Sequence, residues 1–183
     1  MNETLKSIFE RYSCRDFATT PLTDEQLDAI VQAALAAPSA INKQPWKLIV
    51  ITDKALIEEI DAIGVAQLIA GGDTAVYERI QSRGGKILYN APCMVVIVID
   101  DSKYAKFDCG ILTQNVALAA HSLGLGNVIC AMVGQVFAGP RGEELKKRLR
   151  FPEGYDFGMS VLIGTPNSSK EPHALEWDKV IRI

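Results

Sequence analysis

The pattern of apolar and polar positions predicts alternating helices and strands along this chain. One apolar stripe recurs at helical spacing and consists of Leu27, Ile30, Val31, Ala34 and Leu35. Thr23 precedes the stripe and Gln26 follows three residues later, which is the spacing of a capping box at the start of a helix. The sequence therefore predicts a helix that begins after Thr23 and continues through Ala37.

Strand-like segments are the second feature of the pattern. Residues 47–52, 93–100 and 158–165 are apolar runs rich in β-branched side chains, which is typical of buried strands. Residues 93–100 form the most apolar run, so we expect this strand to be covered on both faces at the centre of a sheet. A shorter strand is predicted at residues 128–133, ending at Gly134.

Four more helices are predicted at residues 4–11, 54–63, 107–123 and 143–149. The helix at residues 107–123 is apolar around much of its circumference, which indicates burial on more than one side. In a chain of this length we favour a subunit interface, while burial in the middle of one subunit is the alternative.

Residues 64–86 and the tail at residues 166–183 give weaker signals. The first segment contains two Gly-Gly pairs and an ambiguous, helix-like stretch at residues 77–83. A mobile cover over a site and an ordinary surface connection are both consistent with this pattern. The tail has too little pattern to fold by itself, so we expect it to lie across another part of the protein, such as a second subunit.

Length and composition narrow the class of protein. With 183 residues, of which 48% are hydrophobic, the chain is long enough for a real core, and we predict a single domain over residues 1–183. The net charge is −3 and no basic cluster occurs, which argues against nucleic acid as a partner. No apolar run reaches bilayer length and the amino terminus lacks a secretory pattern, so we predict a cytoplasmic protein without a membrane partner.

The number and spacing of the cysteines and histidines argue against a metal site, a disulfide framework and a catalytic triad. The cysteines lack CxxC or His-Cys ligand spacing, so neither a zinc site nor a disulfide framework is indicated. His121 and His173 are the only histidines and leave little material for a catalytic triad or a metal centre. We therefore predict no metal site, and a small molecule as the ligand.

Three polar side chains alternate just after the first predicted helix. These are Arg11, Ser13 and Arg15, and in an extended segment they point the same way. Two guanidinium groups and a hydroxyl on one side can bind phosphate, because arginine stays charged and donates two parallel hydrogen bonds. A solvated, arginine-rich turn is the alternative interpretation.

The loop APSAINKQPW, at residues 37–46, joins the helix after Thr23 to a strand. Pro38 and Pro45 restrict its backbone. Its hydrogen-bonding side chains are Ser39, Asn42 and Gln44. Such a loop suits a flat heterocycle with polar edges, and the alternative is a helix-ending turn in which Trp46 fills the core.

Five segments occur in an order and spacing found in one known family, namely RYSCRDF, APSAINKQPW, NAPCMVVIVID, TQNVALAAHSLGLG and VLIGTP. Together they resemble the nitroreductase family of FMN-dependent oxidoreductases over nearly the whole chain. The resemblance implies an α+β fold with a mixed, largely antiparallel sheet between helices. It also implies an intertwined homodimer with two FMN sites at its interface.

The resemblance assigns residues to the phosphate end of the cofactor. Arg11 and Ser13 are similar to the family's phosphate-binding pair, and Lys170 is similar to a late basic residue that helps to hold the phosphate. Arg15 resembles the cationic residue near the pyrimidine edge of the flavin.

The resemblance also assigns residues to the ring end. The family loop that reaches the cofactor, in part from the partner subunit, is matched by Ser39, Asn42 and Gln44. The stretch whose backbone N–H groups face the flavin N5 and O4 edge is matched by Met132, Val133 and Gly134. The family often has an acidic residue where Val133 stands, and Lys86 is only a candidate contact because residues 64–86 match poorly.

The implied reaction is a ping-pong transfer of hydride from NADH or NADPH, through FMN, to a nitroaromatic, quinone or similar electron-poor acceptor. The flavin carries the chemistry, so the site residues are predicted to bind the cofactor and none is predicted as catalytic. Alternatives are a flavin-cleaving or dehalogenating relative on the same fold, and a flavin-binding module without catalysis. The sequence leaves the physiological acceptor and the choice of nicotinamide open.

Overall fold

Four antiparallel strands form the centre of the computed structural model, which describes residues 1–72, 74–82 and 84–183. The strands are β1 (Trp46–Ile51), β2 (Cys93–Ile99), β3 (Gly126–Ile129) and β4 (Asp156–Gly164). Their order across the sheet is β1-β2-β4-β3, and each neighbouring pair is antiparallel. All residues of β2 are buried, which confirms the prediction of a central strand covered on both faces.

Within the described residues, seven α-helices surround the sheet. They are α1 (Glu3–Glu10), α2 (Asp24–Leu35), α3 (Lys54–Ala70), α4 (Thr74–Gln81), α5 (Ala105–Ser122), α6 (Val133–Ala138) and α7 (Gly142–Arg148). Among these helices, none combines the length and the apolar character needed to cross a membrane. The architecture is α+β, as the sequence predicts.

Side chains of β2 alternate between two apolar clusters, one on each face of the sheet. Met94, Val96 and Val98 belong to the cluster that includes buried residues of α3, α4, α6 and α7. The intervening residues of β2 belong to the cluster formed with α2 and α5. Each fully buried aliphatic side chain contributes about 1.5–3 kcal/mol, so the two faces of β2 supply a large share of the stabilisation.

The helix boundaries show where local sequence signals suffice. Thr23 caps α2 as predicted, with Thr23 Oγ1 accepting from Gln26 N at 3.2 Å and Gln26 Oε1 accepting from Thr23 N at 3.0 Å. The helix ends at Leu35, two residues earlier than predicted. The helix predicted at residues 54–63 continues to Ala70, and the helix predicted at 77–83 is observed as Thr74–Gln81. Arg83, at the end of that prediction, lies outside the described residues.

The strand predicted at residues 128–133 is too long. β3 ends at Ile129, and Val133 is the first residue of α6. The last contacts with β4 are the bond from Cys130 N to Ser160 O, at 2.8 Å, and the bond from Ser160 Oγ to Cys130 O, at 2.7 Å. The apolar run then continues around a turn into a buried helix, which periodicity over six residues does not distinguish from a strand.

The segment at residues 11–17, here called the N-terminal arm, lies along the outer edge of β3. Ser13 forms a parallel bridge with Asn127, and Cys14 N donates to Asn127 O at 2.9 Å. The tail begins against the same arm, because Asn167 N donates to Asp16 O at 3.1 Å. The sheet edge therefore brings the two ends of the chain together.

Candidate functional site

A cavity of about 230 Å³ lies between the N-terminal arm and the tail, and we call it the arm cavity. It is lined by Arg11, Tyr12, Ser13, Arg15, Lys170, Glu171, Pro172 and His173. The predicted group of Arg11, Ser13 and Arg15 therefore faces one space, and Lys170 joins it from the far end of the sequence. A hydrogen bond between distant segments holds this geometry. Tyr12 Oη donates to Ser168 O at 2.7 Å and so ties the tail to the arm.

The permanent cations of the arm cavity are available to an anion. Among the residues that the structure describes, none of Arg11, Arg15 and Lys170 forms an ion pair with a carboxylate. Arg11 is half-buried, and this burial lowers its pKa from the usual value. Arginine nevertheless stays charged at neutral pH, so the cavity holds an excess of positive charge, with three cations beside the carboxylate of Glu171.

A second cavity, of about 270 Å³, adjoins the first because Arg15 lines both, and we call it the strand cavity. Its other lining residues are Arg79, Ile80, Tyr89, Val128, Ile129, Cys130, Ala131 and Met132. A third cavity, of about 420 Å³, shares Arg79 and Met132 with it and extends between α3, α4 and α6. Residues 64–86 thus supply walls of the cavities through α3 and α4.

Residues of the turn from β3 into α6 differ in whether they line these cavities. Met132 lines the strand cavity, whereas Val133 is fully buried in the core and lines none of the cavities described here. Gly134 packs against the ring of Phe157, where an added Cβ would lie 2.9 Å from a ring carbon. Gly134 N already donates to Ala131 O at 3.0 Å. Of the three residues assigned by resemblance, Met132 is therefore the one that lines the strand cavity.

The wall at Tyr89 depends on a buried carboxylate that the sequence analysis missed. Asp61 Oδ1 accepts from Ile87 N at 2.9 Å and from Leu88 N at 2.7 Å, and Asp61 is 6% exposed. Burial raises the pKa of Asp61, and the two backbone N–H groups partly oppose that rise. Tyr89 follows directly with a left-handed backbone, at φ 53°. Asp61 therefore fixes the segment that shapes one side of the strand cavity.

The candidate contact Lys86 does not line the arm cavity or the strand cavity, whereas Arg79 lines the strand cavity. Lys86 Nζ donates to Asn90 Oδ1 and lines a separate cavity of about 150 Å³, beside Asp61. Arg79, which was not singled out, lines the strand cavity with Arg15. Its position on α4, before the Gly84-Gly85 pair, carries no local signal for this role.

The loop of residues 37–46 lies elsewhere in the same chain. Ser39 Oγ accepts from Gln44 N at 2.9 Å, and Gln44 Nε2 donates to Asn42 Oδ1 at 3.0 Å. The loop leads into β1, at the opposite edge of the sheet from β3 and the arm. With strands spaced about 4.8 Å apart, this separation is roughly 19 Å. Within one chain the structure does not bring Ser39, Asn42 and Gln44 to the arm cavity.

The sequence and the fold are similar to those of a known family. A model described as the Nitroreductase family matches residues 8–165. The chain belongs to the nitroreductase family. This membership confirms the resemblance that was read from the sequence motifs.

Two solved structures and one curated relative illustrate the nitroreductase similarity. A nitroreductase with bound FMN from Desulfitobacterium hafniense DCB-2 is 52% identical with a TM-score of 0.96, covering 100% of this chain and 99% of that chain. An FMN-dependent nitroreductase from Clostridium difficile R20291 is 27% identical with a TM-score of 0.85, covering 100% and 99%. The FMN reductase (NAD(P)H) of Bacillus subtilis (strain 168) is 31% identical over 94% of this chain and 70% of its own length.

Replacing Asp61 tests its role in this nitroreductase. Asp61→Ala leaves two buried backbone N–H groups without an acceptor, so we expect the free energy of unfolding to fall by about 2–4 kcal/mol in urea titrations. Asp61→Asn keeps an acceptor oxygen and should lose much less. Equal losses in the two variants would contradict this role for the hydrogen bonds.

The difference in unfolding free energy between the wild type and Asp61→Asn should depend on pH, and its sign can be predicted. Because burial raises the pKa of Asp61, the folded state binds more protons than the unfolded state between the ordinary and the raised pKa. The unfolding free energy of the wild type should therefore decrease, relative to Asp61→Asn, as the pH rises from about 4 through that window. A difference between the two proteins that does not change with pH would contradict the prediction.

Proposed function

We propose that this chain is an FMN-dependent oxidoreductase that transfers hydride from NADH or NADPH to electron-poor acceptors such as nitroaromatics and quinones. The donor leaves before the acceptor binds, in a ping-pong sequence. The proposal rests on one observation: among the described residues, the arm-cavity cations Arg11, Arg15 and Lys170 have no carboxylate ion-pair partner, and they lie next to the strand cavity. The 52% identity to a nitroreductase with bound FMN supports it.

The arm cavity suits the phosphate of a mononucleotide. A phosphate monoester carries close to two negative charges at neutral pH and offers several acceptor oxygens. Arg11 and Lys170 supply charge from the arm and the tail, and Ser13 supplies a hydroxyl donor. Guanidinium–phosphate pairs are charge-assisted and can be bidentate, so they orient the group as well as bind it.

The strand cavity suits a flat ring with one polar edge. Tyr89, Ile129 and Met132 provide apolar surface, while Arg15 and Arg79 place positive charge at the same cavity. Bound FMN supplies the hydride-transfer chemistry, and the protein supplies binding and electrostatics. Arg15 and Arg79 would stabilise negative charge on a flavin ring bound in this cavity, because fixed charges need no reorganisation during the reaction.

We further propose that residues 1–183 act as one FMN-binding domain in a homodimer. Ser39, Asn42 and Gln44 lie at the far sheet edge, so a second copy would have to bring them to the cofactor. The apolar side chains that α1 and α5 leave exposed are Leu5, Ile8, Phe9, Phe107 and Ile111. Phe107 is 72% exposed, and an apolar surface of this kind is typical of a protein interface.

The proposed function predicts a yellow protein. The purified chain, supplied with FMN, should show flavin absorption bands that bleach when NADH or NADPH is added without oxygen. It should then consume the nicotinamide in the presence of a nitroaromatic or a quinone. A protein that takes up no FMN contradicts the proposal, and bound flavin that neither nicotinamide reduces favours a binding module instead.

The phosphate assignment predicts that Arg11→Ala weakens FMN binding by about 10–100-fold, the loss expected for a charge-assisted pair. Flavin fluorescence titration of the apoprotein measures the dissociation constant. Lys147→Ala is the matched control, because Lys147 is an exposed cation of α7 outside the arm cavity. Equal affinity in the Arg11 variant and the control would contradict the assignment.

The dimer proposal predicts that Ile111→Asp dissociates the protein and reduces its flavin content. Ile111 is 42% exposed on α5, and a charge there is costly to bury in an apolar interface. Ile69→Asp is the control, since Ile69 is 56% exposed on α3. Analytical ultracentrifugation should show dimers for the wild type and Ile69→Asp, and monomers for Ile111→Asp. A monomeric wild type that binds FMN would contradict the proposal.

A further inference from the structure

One of the side chains that line the arm cavity is a histidine, beside three permanent cations. His173 lines the cavity together with Arg11, Arg15 and Lys170, and it is exposed to solvent. Imidazole gains or loses its proton between about pH 5 and 8, whereas the arginine and lysine groups keep their charge throughout that range.

The other ionisable groups of this region do not duplicate that property. The arm contributes Arg11, Tyr12 and Arg15, and the tail contributes Lys170 and Glu171 beside His173. Tyr12 is a phenol whose pKa is raised further by burial, so it stays neutral at the pH values considered. Arginine and lysine side chains are cations in this pH range, and glutamate side chains are anions.

The second histidine offers a contrast. His121 is half-buried near the end of α5 and lies outside the arm cavity. Burial is the main cause of the lowered pKa of His121, and Arg11 lowers it further while Glu10 raises it. His121 is therefore uncharged at neutral pH, although it lies close enough to Arg11 to be affected by that charge.

We propose that His173 is a proton-dependent phosphate ligand in the arm cavity. This inference rests on the proposed function, because the phosphate is that of FMN. A protonated imidazole adds a cationic hydrogen-bond donor to the phosphate, and the contact weakens as the pH rises and the proton is lost. By linkage, binding of the phosphate favours uptake of the same proton.

The test compares FMN dissociation constants of the wild type and His173→Gln near pH 6 and near pH 8.5, measured by flavin fluorescence with apoprotein. The phosphate of FMN itself titrates near pH 6, but this affects both proteins equally and cancels in their ratio. We expect His173→Gln to bind about threefold to tenfold more weakly near pH 6 and about as tightly as the wild type near pH 8.5.

Two variants and one ligand sharpen the test. His173→Arg carries a permanent charge and should bind FMN more tightly than His173→Gln at both pH values. His121→Gln should follow the wild type, and riboflavin, which lacks the phosphate, should not distinguish the wild type from His173→Gln.

The outcomes separate this inference from the proposed function. Normal FMN binding with the same ratio of wild type to His173→Gln at both pH values overturns the role of His173 alone. A pH dependence that disappears in His121→Gln and persists in His173→Gln also overturns it. Failure of every form to bind FMN overturns the proposed function, and the inference with it.

Discussion

The pairing of the N-terminal arm with β3 is the contact on which the site depends. Cys14 is 1% exposed and anchors the arm in the core, so its neighbours Ser13 and Arg15 must point away from that core. Gly126 permits the close approach, because an added Cβ would lie 2.9 Å from Cys14 Sγ and 3.1 Å from Pro166 Cβ. The alternating sequence and the glycine on β3 thus make the donors Ser13 and Arg15 point to the same side of the arm.

This arrangement places several positive charges close together, and their repulsion lowers the stability of the folded state. Arg11, Arg15 and Lys170 repel one another, and in the described part of the chain no carboxylate pairs with them. Bonds that do not involve these charges hold the segments in place, including Tyr12 Oη to Ser168 O and Asn167 N to Asp16 O. Proteins retain such local conflicts at functional sites, where a ligand of opposite charge relieves them.

Local signals in the sequence were enough to predict the main elements. The β-branched run of β2 and the capping box at Thr23 each depend on neighbours in the chain, and both are observed. The shared direction of Arg11, Ser13 and Arg15 follows from strand geometry in the same way. The nitroreductase-family match covers residues 8–165, so the resemblance also predicted the fold as a whole.

Contacts between distant segments account for what the sequence did not reveal. Asp61 bonds to backbone groups 26 and 27 residues away, and nothing near Asp61 in the sequence marks that partnership. Arg79 reaches the strand cavity only because α4 packs beside α3. The end of β3 is set by its partner β4 at Ser160, so a prediction from periodicity extended the strand too far.

The meeting of the arm and the tail has a consequence for biosynthesis. Arg11 is synthesised well before Lys170 and His173, which line the same cavity. A nascent chain can form the sheet and still lack half of this cationic pocket. An anion that needs both sides of this pocket can therefore bind only after the tail residues have been synthesised and have reached the arm.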